Sequence, residues 1–173
     1  MIDDSEHRYG WVTRLLHWTM AVLILVQAGK IADRINDGEN LVSALTGPWH
    51  TSIGTLLFVL VFIRLAWTSH QRANRPTNPG FLGFVAKAGH WALYALTIVL
   101  PIAGMLILYG GGYGHAPFGI PLFGKGPEVE WASNIGSAHS PLALLFVLVV
   151  LGHAGAALYH HFIRRDGVLR RML

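Results

Sequence analysis

The chain has 173 residues, of which 53% are hydrophobic and only 13% charged, with a formal net charge of +4. Soluble domains carry nearer ~25% charged residues, and a globule this small could not cover so much apolar surface, so the composition points to a membrane protein. Cysteine is absent, which excludes disulfides, thiolate-held iron–sulfur clusters, Cys-type zinc sites and covalent haem at C-x-x-C-H; the ten histidines are the obvious donors for any metal.

The N-terminal "MIDDSEHRYG" is charged, and the apolar run after it lacks an A-x-A-like exit, so no cleavable signal peptide is expected. Four segments reach the roughly 20 residues needed to span a bilayer. They run over about 11–29, 49–68, 84–109 and 137–163. The first carries His17 about one and a half turns from its start. The second follows Pro48, begins at His50 and continues through Gly54 to Arg64. Polar "RANRPTNPG" (72–80) links it to the third, which carries Lys87, His90, Trp91, Pro101 and Gly104. Pro101 and Gly104 are expected to bend that helix, which membrane helices tolerate. "GGGYG" (110–114) ends it. The fourth opens near Pro141 and holds His139, His153, His160 and His161.

Lys and Arg placement predicts orientation. Ten basic residues fall on the side of the two termini and the second-to-third connection, among them Arg8, Arg14, Arg64, Arg72, Arg75 and Lys87. The other two loops (30–48 and 110–136) hold only Lys30, Arg34 and Lys125, against five acidic residues. Both termini are therefore expected in the cytoplasm of a multi-pass inner-membrane protein, and the basic excess reflects topology, with no nucleic-acid partner. Trp49, Tyr113 and Trp131 read as anchors at the outer interface. The expected fold is all-α and integral to the membrane: one domain over 1–173, an antiparallel bundle of four transmembrane helices, an architecture that builds cofactor sites from facing side chains.

The histidines carry the functional signal. His139 and His153 are 14 residues apart. At ~100° and ~1.5 Å per residue, they return within about 40° of one face and lie about 21 Å apart along the axis. Two haems stacked across a bilayer need such a pair, because neutral imidazole is a natural axial ligand and iron offsets the cost of burying it. At the outer level the intrahelical partner for His139 is His50. At the inner level His153 can pair with either His17 or His90. Arg64 lies 14 residues after His50 and would suit a haem propionate, or it simply snorkels to the inner interface. Gly54, one turn after His50, would admit a flat macrocycle or a closely packed helix. A single intramembrane histidine could merely hydrogen-bond across a bundle, but four at paired depths argue for function. His7, His70 and His115 are expected on loops or the surface, and His161 at the interface.

These motifs resemble the bacterial cytochrome b561 family of small dihaem membrane cytochromes. The marks are "LLHW" (15–18), "WHTSIG" (49–54) with "VFIRL" (61–65), "GHWALYALTIVLPIAG" (89–104) and "LGHAGAALYHH" (151–161) after His139. The resemblance covers nearly the whole chain. It implies two haem b groups, with His17 and His153 as inner ligands and His50 and His139 as outer ligands, leaving His90 spare. It further implies, by similarity to superoxide oxidases, an oxidoreductase that takes electrons from superoxide outside and reduces ubiquinone near the inner face. His90 and His160, flanked by Lys87 and Trp91, would then bind the quinone carbonyl and relay protons. Lys30, Arg34 and Lys125 could form a local positive funnel for superoxide, although the outer segments are net acidic. The rival expectation is a dihaem anchor subunit that passes electrons to quinone from a partner dehydrogenase or hydrogenase. A transporter or structural membrane protein without haem is the third.

Overall fold

The computed structural model describes residues 1–31, 41–75 and 80–173; Arg34 and the proline-rich end of the 72–80 linker lie outside them. Six α-helices are described: α1 (Trp11–Ala28), α2 (Leu41–Thr46), α3 (His50–His70), α4 (Gly80–Gly110), α5 (Glu130–Gly136) and α6 (His139–Tyr159). Four spans, Trp11–Ala28, Ala44–His70, Gly80–Gly110 and Glu130–Arg164, are long and apolar enough to cross a membrane, with mean hydropathies of 1.3 to 2.2. The predicted fold class is the observed one: an all-helical membrane bundle, with no strand among the described residues.

The helix ends differ from the sequence expectation in instructive ways. α4 starts at Gly80, four residues early, and runs through Pro101 without interruption. The fourth apolar segment is preceded by the separate short helix α5, which lies along the end of α4. Glycine makes that approach possible: a Cβ on Gly136 would lie 2.8 Å from the Ile107 nitrogen. The chain then turns at Ser137–Ala138 and restarts at His139.

α1 packs on α3, α3 on α4, and α4 on α6. Few side chains are fully buried. Met20, Leu57 and Val61 form one cluster, while Leu96, Leu100 and Phe146 form another. Most large apolar side chains face outward, including Val22, Leu25, Phe62, Leu148 and Leu151. Exposed apolar surface on this scale fits a lipid environment. Both clusters reach mid-height: Phe146 is seven residues from both His139 and His153, about 10 Å along the axis from each, and Leu57 is seven residues past His50.

The two bundle ends are closed differently. At the termini end, buried Asp4 accepts hydrogen bonds from the Gly10 amide (2.8 Å) and the Thr13 hydroxyl (2.7 Å) and pairs with Arg75 (2.9 Å). Gln71 accepts from the Asp4 amide (3.1 Å) and donates to Asp3 (2.7 Å), and the Trp67 indole donates to Thr13 (2.8 Å). Arg8 and Arg14 donate to the Leu173 carbonyl, and the Trp18 indole to that of Met172. A polar network thus ties the start of α1 to the end of α3 and to residues 171–173. At the loop end, residues 111–129 fold back over the start of α3. Gly112 and Gly114 take positive φ (67° and 73°), a conformation L side chains rarely adopt. The His115 amide donates to the Phe123 carbonyl (2.9 Å), and the Phe118 amide to the Ser52 hydroxyl (3.2 Å).

Candidate haem sites

Four of the predicted ligands meet as two pairs on two levels. His50, at the start of α3, faces His139, at the start of α6, with ring centroids 6.0 Å apart. His17 of α1 faces His153 of α6 at 6.2 Å. A metal–imidazole bond is about 2 Å, so a nitrogen–metal–nitrogen unit plus half a ring on each side spans about 6 Å. Both pairs fit that span. His90 also reaches His153, with ring centroids 5.4 Å apart, short of that span.

The loop-end pair lines a cavity of about 540 Å³, within the usual ~300–1,000 Å³ of a cofactor pocket. Its deep walls are Leu57, Leu100 and Phe146, and its polar groups include Gln27, Lys30, Thr55 and His115. The His139 Nδ1 lies 2.9 Å from the Leu100 carbonyl. A carbonyl only accepts, so Nδ1 carries the proton and Nε2 keeps the lone pair a metal needs. Gly54 lines the cavity, where an added Cβ would lie 3.3 Å from the Gln27 amide nitrogen. Gly104 was expected only to bend α4. Instead it faces His139, and a Cβ there would lie 3.3 Å from the imidazole Cε1.

At the termini-end pair, nothing lies within 4 Å of a Cβ built on Gly89, Gly152 or Gly155, and Gly152 and Gly155 are exposed. Arg64 sits at this level, half-buried, with its guanidinium 5.6 Å from the Tyr94 ring centre and within electrostatic reach of His17, His90 and His153. The Nδ1 atoms of His17 and His50 are buried without a partner. Such groups are costly in a protein interior. At the loop end, facing donors, apolar walls and glycine clearance fit a haem-type macrocycle; at the termini end the facing donors and the nearby guanidinium fit one.

The residues singled out for quinone are not gathered into one site. His90, Lys87 and Trp91 lie along α4, with Lys87 and Trp91 exposed and Trp91 against Tyr94. His160 lies beyond α6, in a π-turn (His160–Arg164), and its Nδ1 is 2.5 Å from the Asp166 carboxylate. That bond holds the Asp166 carboxyl below its ordinary range. No contact joins His160 to His90 among the described residues. Of the expected funnel, Lys30 lines the cavity, Lys125 is exposed and outside its walls, and Arg34 is not described.

His115, expected on a loop or the surface, does lie on the 111–129 loop, but not at the surface: it is only 6% exposed and lines the cavity. Its signal was invisible because only the folded-back loop brings it to α3. Asp166 and Gln27 were missed for the same reason: each acts through a partner on another element or beyond a turn. The Gln27 amide donates to the His50 carbonyl at 2.8 Å.

Residues 8–173 match the prokaryotic cytochrome b561 family. A probable superoxide oxidase CybB of Yersinia pestis is 30% identical over 175 residues, covering 96% of each chain. Cytochrome b561 homolog 2 of Escherichia coli is 31% identical, covering 98% of this chain and 93% of its own. A cytochrome b562 of Cereibacter sphaeroides is 30% identical, covering 98% and 97%. With four membrane-spanning helices and histidines facing one another between them, the chain belongs to the prokaryotic cytochrome b561 family, whose members bind b-type haem and carry electrons across membranes.

Proposed function

We propose that the protein moves electrons across the bacterial inner membrane through two haem b groups, from superoxide at the loop end to ubiquinone at the termini end. One observation carries this reading: two histidine pairs, with rings 6.0 and 6.2 Å apart, lie on two levels 14 residues apart along α6. His50 and His139 hold one haem, and His17 and His153 the other. Gly54 and Gly104 clear space at the first, and Arg64 offers a cation to a propionate at the second. The excess of basic residues at the termini end supports a cytoplasmic location for that face.

Bound haem supplies one-electron chemistry. The residues hold, insulate and feed it. The Leu100 carbonyl fixes the His139 ring. The two mid-height clusters keep water from the space between the levels. Two superoxide anions give up one electron each and leave as dioxygen. Ubiquinone takes both electrons and two protons at the termini end. His160, held by Asp166 through Nδ1, presents Nε2 for proton transfer, and His90, Lys87 and Trp91 line the approach along α4. The 30% identity to a probable superoxide oxidase supports the choice of donor.

A second reading is favoured by the acidic loop-end segments, five acidic residues against three basic. There the protein is the haem-bearing anchor of a partner dehydrogenase or hydrogenase. Pulsed superoxide with optical detection of haem reduction, with and without quinone, separates the two. The first reading expects haem reduction to outpace dismutation and reoxidation to require quinone. Haem reduction no faster than dismutation would leave the anchor reading.

A further inference from the structure

We infer that His115 anchors a carboxylate: backed by Thr55, its imidazole binds a propionate of the haem held between His50 and His139. The inference rests on the proposal that a haem occupies this cavity. A haem edge bears two carboxylates, and burying a carboxylate requires charge-assisted hydrogen bonds. The deep walls offer none, being Leu57, Leu100 and Phe146. Besides the two ligands, the cavity-lining side chains able to carry positive charge are Lys30 and His115, among the described residues. Both lie at the loop end, so the propionate edge faces that way.

The structure holds His115 ready for this task. Its main chain bridges to Phe123, with the Leu122 amide donating to the His115 carbonyl at 2.9 Å. Its Nε2 lies 2.9 Å from the Thr55 hydroxyl. That hydroxyl donates to the Thr51 carbonyl at 3.0 Å, so Nε2–H must donate to Thr55, and Nδ1 is left for a ligand. Burial alone pushes the imidazole below its ordinary pKa. A carboxylate supplies the missing counter-charge, and the ring takes up one proton at Nδ1 to donate to it. The other titratable groups lining the cavity are Lys30, His50 and His139. Loop pinning alone needs only the Thr55 contact and makes no demand on Nδ1.

The test is an optical redox titration of the haem-loaded protein, with resonance Raman of the propionate bending mode. His115→Ala should keep both haems, lower the midpoint potential of one and shift that haem's propionate mode. An uncompensated carboxylate favours ferric iron, which sets the sign. His115→Gln, which keeps a donor, should restore part of the shift. Unchanged potential and mode with both haems bound would reduce His115 to a loop pin. Should His115→Ala fail to fold or lose haem, Thr55→Val decides: it should give a smaller shift of the same sign, and no shift overturns the inference. If His50→Ala, made in the otherwise native chain, removes no haem, the haem assignment fails, and this inference with it.

Discussion

The two histidine levels use the same donors in opposite settings. At the loop end, one pair lines an apolar cavity under a folded loop, with His139 held by a main-chain carbonyl. At the termini end, His17 and His90 both approach His153, with Arg64 in electrostatic reach. The first level is a pair set in an apolar cavity; the second gathers three imidazoles beside a cation. The closures differ in kind too. Apolar walls and a few loop hydrogen bonds seal one end, while a polar network around Asp4 ties down the other.

Ligand removal tests the comparison most severely. His50→Ala and His139→Ala should each abolish the loop-end haem and halve the haem-to-protein ratio in a pyridine haemochrome assay. His17→Ala and His153→Ala should do the same at the other level, and His90→Ala should retain both haems. Haem loss in His90→Ala but not in His17→Ala would reverse the pairing at the termini end.

Stability should separate the ends next. Asp4→Asn leaves Arg75 without its buried partner, and breaking one side of a buried pair costs about 3–5 kcal/mol. Arg75 is 21% exposed, so the low end, about 3 kcal/mol, is expected, read as a lowered Tm with both haem spectra intact. Equal destabilisation by Ser52→Ala at the loop end would erase the contrast.

Glycine replacement sharpens the distinction between the levels. Gly104→Leu should drive a side chain into His139 and cut loop-end haem occupancy several-fold. Gly152→Leu should be tolerated, because Gly152 is exposed and nothing lies near its Cβ position. Matching losses from both would erase that distinction.

The smallest effect concerns Asp166. Asp166→Asn should slow quinone reduction a few-fold and leave superoxide-driven haem reduction unchanged in stopped flow. The Asp166 pKa is held below its ordinary value by His160. A depressed carboxylate contributes its stabilising contact above the ordinary carboxylate pKa of about 3.9 and loses it as pH falls through the depressed value. The contact should therefore persist throughout the neutral range, and the activity difference between wild type and Asp166→Asn should not change from pH 6 to 8 on that account. Equal quinone rates in the two proteins would remove His160 from the proton path.

Much of this was legible in the sequence because it depends on distance along one chain. Twenty apolar residues span a bilayer wherever they occur. Fourteen residues bring His139 and His153 to one face of one helix whatever surrounds them, so the spans and the four paired histidines could be read without coordinates. His17 and His90 could not be told apart by depth alone. The family resemblance favoured His17, and the ring separations from His153 are 6.2 Å for His17 and 5.4 Å for His90. His115 lies 60 residues from Thr55, and Gly104 lies 35 from His139. Neither pairing follows any helical period, because each depends on how a loop folds or how two helices pack. The sequence by itself determined the membrane bundle and its two histidine levels, since local periodicity encodes both. The tertiary structure alone decided that the loop-end pair lines an apolar cavity with His115 at its wall and that Arg64 stands beside the other pair, since those depend on contacts between segments that periodicity cannot relate.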